Sequence, residues 1–316
     1  MNLISSIVTL SLIYATPIII TALGGLYSER SGIVNIALEG IMVIGAFVAA
    51  TFTPLNEAAL GGWTPWIAIL LGALAGGLYS LIHAFVSIDL QANQVISGTA
   101  LNMLAIGISV YFCQIFFNQQ RTQTFSRGFV KTNVPLFSKI PIIGDLFFKR
   151  MYYTFYLALL LVIVTAFILR KTRFGLRLRA SGEHPSAVDS LGVSVRKMRY
   201  TGVLISGLLA GLSGGIMVLT QATQFTAGSI HGVGFISLAA LIFGRWNAWG
   251  VLGAGVFFGF SQIFAIFSKD IPILAKVPAE IFHALPYILT IIAILLFSRR
   301  SAGPKAAGEL YDVSKR

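Results

Sequence analysis

The chain is divided into long apolar stretches without a single Asp, Glu, Lys or Arg. A transmembrane helix needs about 20 mostly apolar residues to cross roughly 30 Å of hydrocarbon, so several of these stretches can span a membrane. Membrane strands would instead be about 10 residues long and would alternate in polarity. The pattern therefore indicates transmembrane helices. The uncharged stretches are Asn2–Ser28, Gly40–Asn56, Ala58–Ile88, Leu90–Gln120, Met151–Leu169, Tyr200–Gly244, Trp246–Ser268 and Ile281–Ser298.

The composition supports the same class of protein. Only 11% of the 316 residues are charged and 56% are hydrophobic, whereas a soluble domain carries about 25% charged residues. We predict an all-α fold, a polytopic transmembrane bundle of eight to ten helices with a short cytoplasmic helix. The predicted helices are Leu3–Leu26, Val34–Phe52, Trp66–Ile88, Gln94–Phe117, Tyr152–Arg170, Tyr200–Gln221, Gly232–Gly244, Gly250–Ser268 and Ala284–Ser298.

Basic residues are concentrated in two segments, Arg170–Arg199 and the tail 299–316. Four predicted helices separate them, so both lie on one side, and the positive-inside rule makes that side the cytoplasm. The segment Gln119–Arg150 then lies outside although it carries six basic residues, which partly conflicts with the rule. We expect residues 1–298 to form the transmembrane domain, with a cytoplasmic loop at 171–198, and residues 299–316 to form a basic cytoplasmic tail.

Several classes of function are not favoured. The net charge of +12 does not indicate nucleic-acid binding, because the basic residues stand in short blocks between apolar stretches. The only cysteine, Cys113, excludes an intramolecular disulfide. The sequence has no G-x4-G-K-S/T phosphate loop, and His83 and His283 lack a second metal ligand at helical spacing. We expect no cofactor and no metal in this chain, and membrane lipid around it.

Three pairs of glycines fit close contacts between transmembrane helices. Small residues four positions apart let two helix backbones approach each other, which predicts a tight bundle. The strings that begin at Gly72 and Gly207 are also similar to each other, which indicates either an internal repeat or coincidence in a glycine-rich chain. The pairs are Gly72 and Gly76, Gly207 and Gly211, and Gly255 and Gly259.

A short helix is predicted between the two basic strings of the cytoplasmic loop. Pro185 suits the first turn of a helix, and Gly192 suits its end, which predicts a helix at Pro185–Leu191. A short helix at the cytoplasmic surface could dock into a groove of a partner protein. The alternative is a solvated loop whose basic residues only fix the topology.

Glu39 is an acidic residue inside a predicted helix. A charge at such a position costs about 2.5–3.5 kcal/mol on insertion scales, so its side chain should face the bundle interior, a partner or a water-filled cavity. Asn35 lies four residues earlier and is predicted on the same helix face. Glu39 could line a permeation route, form a structural hydrogen bond, or couple transport to protons.

Uncharged polar residues mark two further places. Asn93 directly precedes the fourth predicted helix, and Gln94 and Asn102 lie in its first part. Residues 221–231 form a polar break inside Tyr200–Gly244. Such groups could offer weak hydrogen bonds to a hydroxyl-rich solute, although the break could equally be an external turn. Trp246 and the other tryptophans are typical of membrane-interface anchors. The candidate substrate path is Asn35, Glu39, Asn93, Gln94, Asn102 and Gln221.

The segment Gly182–Val193 resembles the coupling-helix motif of permeases in ATP-binding-cassette importers, with its Gly, central Ala and later Gly-Val. The likeness extends to Gly25–Met42, Ala92–Asn102 and Leu238–Trp246. Together these segments resemble the branched-chain amino acid, ribose and nucleoside permease superfamily, most of all its nucleoside or simple-sugar branch. One departure is Val188, which stands where a second alanine is often found.

The resemblance implies a transport subunit of the cell membrane, without an ATPase site of its own. Its partners would be a cytoplasmic ATPase subunit that binds ATP and Mg, a second and non-identical permease, and an external substrate-binding lipoprotein. The alternative function is an ion-coupled secondary transporter that uses Glu39. An integral-membrane enzyme is not favoured, because the sequence lacks a set of catalytic residues at matching depth. The residues implied in coupling to the ATPase are Gly182, Glu183, His184, Pro185, Ala187, Asp189, Leu191 and Gly192.

Overall fold

The computed structural model describes residues 3–134, 143–267 and 303–311, together with residues 284, 288 and 291. Within these residues the secondary structure is helical apart from isolated β-bridges, which confirms the all-α prediction. The helices are α1 Leu3–Ser31, α2 Leu38–Leu60, α3 Thr64–Ala84, α4 Gln94–Phe117, α5 Ile143–Phe147, α6 Tyr153–Lys171, α7 Arg173–Glu183, α8 Pro185–Ser190, α9 Val195–Gln221, α10 Val233–Phe243 and α11 Ala248–Phe267.

The described chain contains six helical stretches that are long and apolar enough to cross a membrane. One of them, Leu38–Asp89, is 52 residues long and is divided by a short 3-10 turn at Gly61–Trp63 into α2 and α3. The helix α10 is apolar but shorter, with 11 residues. These helices confirm a polytopic membrane bundle. Of the predicted helix Ala284–Ser298, only residues 284, 288 and 291 are described.

Several helix boundaries differ from the prediction, and α2 ends at Leu60 instead of Phe52. The helix α1 continues past Leu26 to Ser31, α9 begins at Val195 instead of Tyr200, and α2 begins only at Leu38. The helices α1 and α9 continue through charged residues, because neighbouring segments bind the side chains of Arg30, Arg196 and Arg199. Asn35 therefore lies in the connection before α2, and the prediction that it shares a helix face with Glu39 is wrong.

Glycines bring α3 and α9 into close contact. A Cβ atom at Gly76 would lie 2.6 Å from the carbonyl oxygen of Gly207, and one at Gly72 would lie 3.3 Å from that of Gly211. The predicted small-residue contacts are confirmed, and the two similar strings pack directly against each other. The third pair faces α1, since a Cβ atom at Gly259 would lie 2.5 Å from a carbonyl oxygen of that helix.

The bundle has two distinct ends. One end of the bundle contains the end of α1, the segment 85–94, the helices α7 and α8, the turn between α10 and α11, and residues 303–311. We call it the cytoplasmic end, because it carries the basic segments. At the outer end, the Glu57 carboxylate accepts hydrogen bonds from the backbone N–H groups of Ser126 and Arg127, both at 3.0 Å. The cytoplasmic loop and the tail therefore share one end, as predicted.

Candidate coupling and translocation sites

The predicted cytoplasmic helix is present as α8, directly after the unpredicted helix α7. Pro185 occupies its first turn, where a missing N–H costs nothing. The helix ends where the backbone N–H of Gly192 donates to the oxygen of Asp189 at 2.9 Å. Gly192 has a φ of +76°, a left-handed conformation that glycine adopts without strain. The sequence signals for both helix ends are confirmed.

The helix α8 has an anchored face and an exposed face. Val188 is buried, with 6% of its surface exposed, so the residue that departs from the family motif attaches α8 to the bundle. His184 and Ala187 are exposed, and Leu191 is exposed over 83% of its surface. An apolar side chain that projects this far from the protein suits insertion into a groove of a partner.

We call residues 182–192 the coupling segment, and its base is fixed to α1. A Cβ atom at Gly182 would lie 2.5 Å from the carbonyl oxygen of Arg30, so only glycine permits this approach. The Glu183 carboxylate forms an ion pair with the Arg30 guanidinium at 3.6 Å. The eight predicted coupling residues therefore divide into a base that contacts the bundle and a set that points outward.

Arg30 also connects the coupling segment to the turn between α10 and α11. Its guanidinium donates a hydrogen bond of 2.8 Å to the carbonyl oxygen of Trp246, and the Trp246 indole N–H donates to the Glu29 carboxylate. Trp246 thus binds the end of α1 in addition to the interface role expected of it. Sequence reasoning did not assign a role to Glu29 or Arg30; their adjacent charges at the end of an apolar stretch were the available signal.

Glu39 lies in the first turn of α2 and binds the N-terminus of α10. One carboxylate oxygen accepts from the backbone N–H of Gly232 at 2.7 Å and the other from that of Gly234 at 2.6 Å. A carboxylate at this position satisfies free N–H groups and complements the helix dipole. A Cβ atom at Gly234 would lie 2.5 Å from Glu39 Cα, so this approach requires glycine.

This contact lies inside the membrane. The 11 residues of α10 are about 16 Å long, and the helix ends at the cytoplasmic end of the bundle. A hydrocarbon layer of about 30 Å therefore places the N-terminus of α10 near the middle of the membrane. The first turn of α2 contacts the N-terminus of α10 through Glu39. Helices that begin inside the membrane are typical of transporters and commonly flank their substrate sites.

Asn35 and Asn102 hold the non-helical connection between α1 and α2. The Asn35 amide donates to the Ser206 hydroxyl at 2.9 Å. The Asn102 amide donates to the carbonyl oxygen of Ile36 at 3.0 Å, and its oxygen accepts from the N–H of Gly40 at 2.7 Å. Non-helical backbone at membrane depth needs such partners, because lipid offers none. We call Asn35, Glu39, Asn102, Ser206, Gly232 and Gly234 the mid-membrane cluster.

The polar break in Tyr200–Gly244 forms a connection that returns into the membrane. At the outer end, the N–H of Phe125 donates to the carbonyl oxygen of Thr223 at 2.9 Å. From there the chain runs down to Gly232, which binds Glu39. Thr223 and His231 are exposed along this connection. The break is therefore more than an external turn.

Comparison with known proteins gives the class of the chain. The family model described as a branched-chain amino acid transport system permease component matches residues 7–294. The chain belongs to this permease family. It is similar to the guanosine ABC transporter permease protein NupQ of Bacillus subtilis, with 46% identity over 100% of this chain and 99% of the relative.

Two further relatives are also permeases by name. The nucleoside ABC transporter permease protein NupC of Lactococcus lactis is 43% identical, over 99% of each chain. The putative glucose ABC transporter permease protein TsgC13 of Haloferax volcanii is 33% identical, over 81% of this chain and 76% of the relative. The protein is therefore a transport component and a multi-pass membrane protein.

The permease places its other predicted path residues away from the mid-membrane cluster. Asn93 is exposed and caps α4, since its side chain accepts from the N–H of Val95 at 2.9 Å. Gln94 is buried, and its side-chain oxygen accepts from the N–H of Val34 at 2.8 Å. Gln221 ends α9 at the outer end. The structure thus brings Asn35, Glu39 and Asn102 together.

No group of three or more potential metal ligands occurs in the described part of the permease. His83 is fully buried, and its ring binds the Ser97 hydroxyl at 3.0 Å and the carbonyl oxygen of Val34 at 3.1 Å. It packs the cytoplasmic ends of α3 and α4 against the connection before α2. His283 lies outside the described residues.

Proposed function

We propose that this permease is the membrane-spanning subunit of an ATP-binding-cassette importer that carries nucleosides across the cell membrane. The observation that carries the proposal is the near-full-length similarity to two permeases whose names specify guanosine and nucleosides. The exposed face of α8 supports it, because a permease driven by a separate ATPase needs a surface on which that ATPase can act.

In this proposal a cytoplasmic ATPase subunit binds ATP and Mg and docks on His184, Ala187 and Leu191. Movement of α8 passes through Glu183 to Arg30, and from Arg30 to Trp246 at the end of α10. The far end of α10 is held by Glu39. A shift of α10 along this route would open or close the bundle near the middle of the membrane.

The solute would pass beside the mid-membrane cluster. Glu39 is partly exposed, and Thr223 and His231 are exposed between the outer end and the cluster. A nucleoside carries ribose hydroxyls and a base with donors and acceptors. Polar groups that bind such groups weakly allow both entry and release. Asn35 and Asn102 contribute by holding the ends of the helices that flank this route.

A second, non-identical permease would complete the route from the opposite side. Large apolar side chains of α4 are exposed, among them Ile96 at 68% and Met103 at 77%, and in the membrane such surfaces contact lipid or another subunit. Co-expression of two differently tagged copies of this chain with a candidate second permease tests the pairing. We expect each tagged copy to co-purify with the second permease and not with the other tagged copy.

Uptake by reconstituted proteoliposomes tests the function. We expect import of labelled guanosine only when this permease, the second permease, the ATPase, the substrate-binding lipoprotein and ATP are all present. Unlabelled nucleosides should compete, whereas glucose and branched-chain amino acids should not. Guanosine uptake by this chain alone under a proton or sodium gradient would instead support the ion-coupled alternative.

A further inference from the structure

The tail segment 303–311 is packed against the bundle instead of extending into solvent. The backbone N–H of Ala306 donates to the carbonyl oxygen of Gly182 at 2.8 Å, and that of Gly308 donates to the carbonyl oxygen of Gly32 at 3.1 Å. Ala306 is buried, with 3% of its surface exposed. The tail segment therefore contacts the end of α1 and the end of α7 at the same time.

These bonds supply hydrogen-bond donors to backbone carbonyl groups at the C-terminal ends of the two helices. The last carbonyl groups of a helix have no partner within the helix, and the structure must supply one from elsewhere. Gly182 lies in the last turn of α7, and Gly32 directly follows α1. The tail segment supplies a donor to each of them, and so joins two helix ends that are about 150 residues apart in sequence.

The second half of the tail segment contacts α9 and α8. The Arg199 guanidinium donates to the carbonyl oxygen of Glu309 at 3.1 Å and lies over the Tyr311 ring at 5.8 Å from its centre. The Tyr311 hydroxyl donates to the Asp189 carboxylate at 3.0 Å. Tyr311 thus holds the inner side of α8, while Ala187 and Leu191 remain exposed beside it.

We propose that residues 303–311 form a strap that positions the coupling segment. When the ATPase moves α8, the strap transmits this movement to the bundle, so that the movement does not merely bend the loop that carries α8. The inference rests on the proposed function, because it concerns how the ATPase acts on this permease. The strap leaves the exposed face of α8 open, so it supports docking and does not block it. Tyr311 is a positioning residue, since it acts on α8 and touches no solute.

Substitutions at Tyr311 separate coupling from assembly. Tyr311→Phe removes the hydrogen bond to Asp189 and keeps the ring over Arg199, whereas Tyr311→Ala removes both. Lys305→Gln is the matched control, because the Lys305 side chain is exposed and the tail contacts the bundle there through its backbone. The measurement is the number of guanosine molecules imported per ATP hydrolysed by the reconstituted complex, together with co-purification of the ATPase subunit.

We expect the import ratio to fall about fivefold in Tyr311→Phe, as the loss of about one net hydrogen bond predicts, and further in Tyr311→Ala, which also loses the ring contact with Arg199. ATPase co-purification should be unchanged in both variants, and Lys305→Gln should match the wild type. Trypsin should also cleave faster after Arg179 and Arg196, the basic residues that flank the coupling segment, in inside-out vesicles that contain Tyr311→Ala, because release of α8 makes the chain around them more accessible.

Each other outcome has a distinct meaning. An import ratio in Tyr311→Ala equal to that of the wild type, with unchanged trypsin cleavage, overturns the strap. Loss of ATPase co-purification in both Tyr311 variants also overturns it, because the tail would then serve assembly. Absence of ATP-dependent guanosine import by the wild-type complex contradicts the proposed function instead, and the trypsin comparison still reports whether the tail holds the coupling segment.

Discussion

Leu191 and Val188 belong to one short helical segment and have opposite environments. Val188 is buried against the bundle, while Leu191 projects with 83% of its surface exposed. Full burial of a leucine side chain contributes about 1.5–3 kcal/mol, so an exposed leucine at this position stabilises a complex more than the isolated subunit. The departure from the family motif at Val188 thus falls on a residue that is buried within this chain.

Truncation of Leu191 should weaken binding of the ATPase subunit. Leu191→Ala removes most of the projecting apolar surface, and we expect the dissociation constant for the ATPase to rise by about tenfold. Leu176→Ala is the matched control, since Leu176 is a leucine of α7 that is also exposed, at 61%. The measurement is titration of the purified permease with labelled ATPase. Equal weakening by both substitutions would contradict a specific role of α8.

Two substitutions of Glu39 can distinguish a structural role of its carboxylate from a role in proton coupling. Glu39→Ala leaves the N–H groups of Gly232 and Gly234 without their acceptor, at a cost of about 1–3 kcal/mol each. Glu39→Gln keeps one oxygen acceptor. We expect a large fall in the thermal unfolding temperature of Glu39→Ala and a smaller fall in Glu39→Gln, with import following the same order. Full stability with complete loss of import in Glu39→Gln would indicate a proton-coupling carboxylate instead.

At the scale of the helices, contact between α3 and α9 depends on missing side chains. The backbones approach so closely at Gly76 and Gly207 that a single methyl group does not fit. Helices in a membrane associate through such packing, because lipid gives no hydrophobic drive for association. The contact therefore holds α3 and α9 together.

A methyl group at Gly76 should destabilise the bundle. Gly76→Ala places a Cβ atom 2.6 Å from the carbonyl oxygen of Gly207, and we expect a loss of about 1–3 kcal/mol from the strain. Gly107→Ala is the control, because no atom lies within 4 Å of a Cβ atom there. Thermal unfolding in detergent should show a lower midpoint for Gly76→Ala and an unchanged or higher one for Gly107→Ala. A midpoint shift of the same size in both would contradict the contact.

The sequence predicts the helices far better than it predicts their ends. Long apolar stretches predict most of the spans, and Pro185 and Gly192 predict α8 to within one residue. The predicted start of α2 was wrong, because the non-helical backbone before α2 is stabilised by a hydrogen bond from Asn102 to Ile36. These two residues are 66 positions apart in sequence. The base of the coupling segment depends in the same way on Arg30. Local patterns cannot reveal partners that only the folded chain brings together.

In the whole molecule, the coupling segment and the mid-membrane cluster are joined by a short series of contacts. Glu183 contacts Arg30, and Arg30 contacts Trp246 in the turn after α10. The helix α10 extends from that turn to the residues that bind Glu39. The ion pair with Glu183 is partly exposed and contributes less than about 1 kcal/mol. Its importance lies in geometry, because the planar guanidinium reaches both Glu183 and the Trp246 carbonyl at once.

Arg30→Lys should therefore uncouple ATP hydrolysis from import. A lysine ammonium keeps the charge but cannot form two directed bonds in the arginine geometry, so α10 would follow α8 less closely. We expect ATP hydrolysis by the reconstituted complex to persist while guanosine import falls about tenfold, as the loss of one charge-assisted hydrogen bond predicts.

Arg196→Lys is the matched control for this substitution. Arg196 binds Asp89 at 2.7 Å at the same end of the bundle, but the pair has no contact with Trp246. We expect Arg196→Lys to keep a near-normal number of guanosine molecules per ATP. If both arginine substitutions lowered that number equally, the loss would reflect a general effect of replacing arginine at the cytoplasmic end, and the contacts from Arg30 to α10 would not be what couples ATP hydrolysis to import.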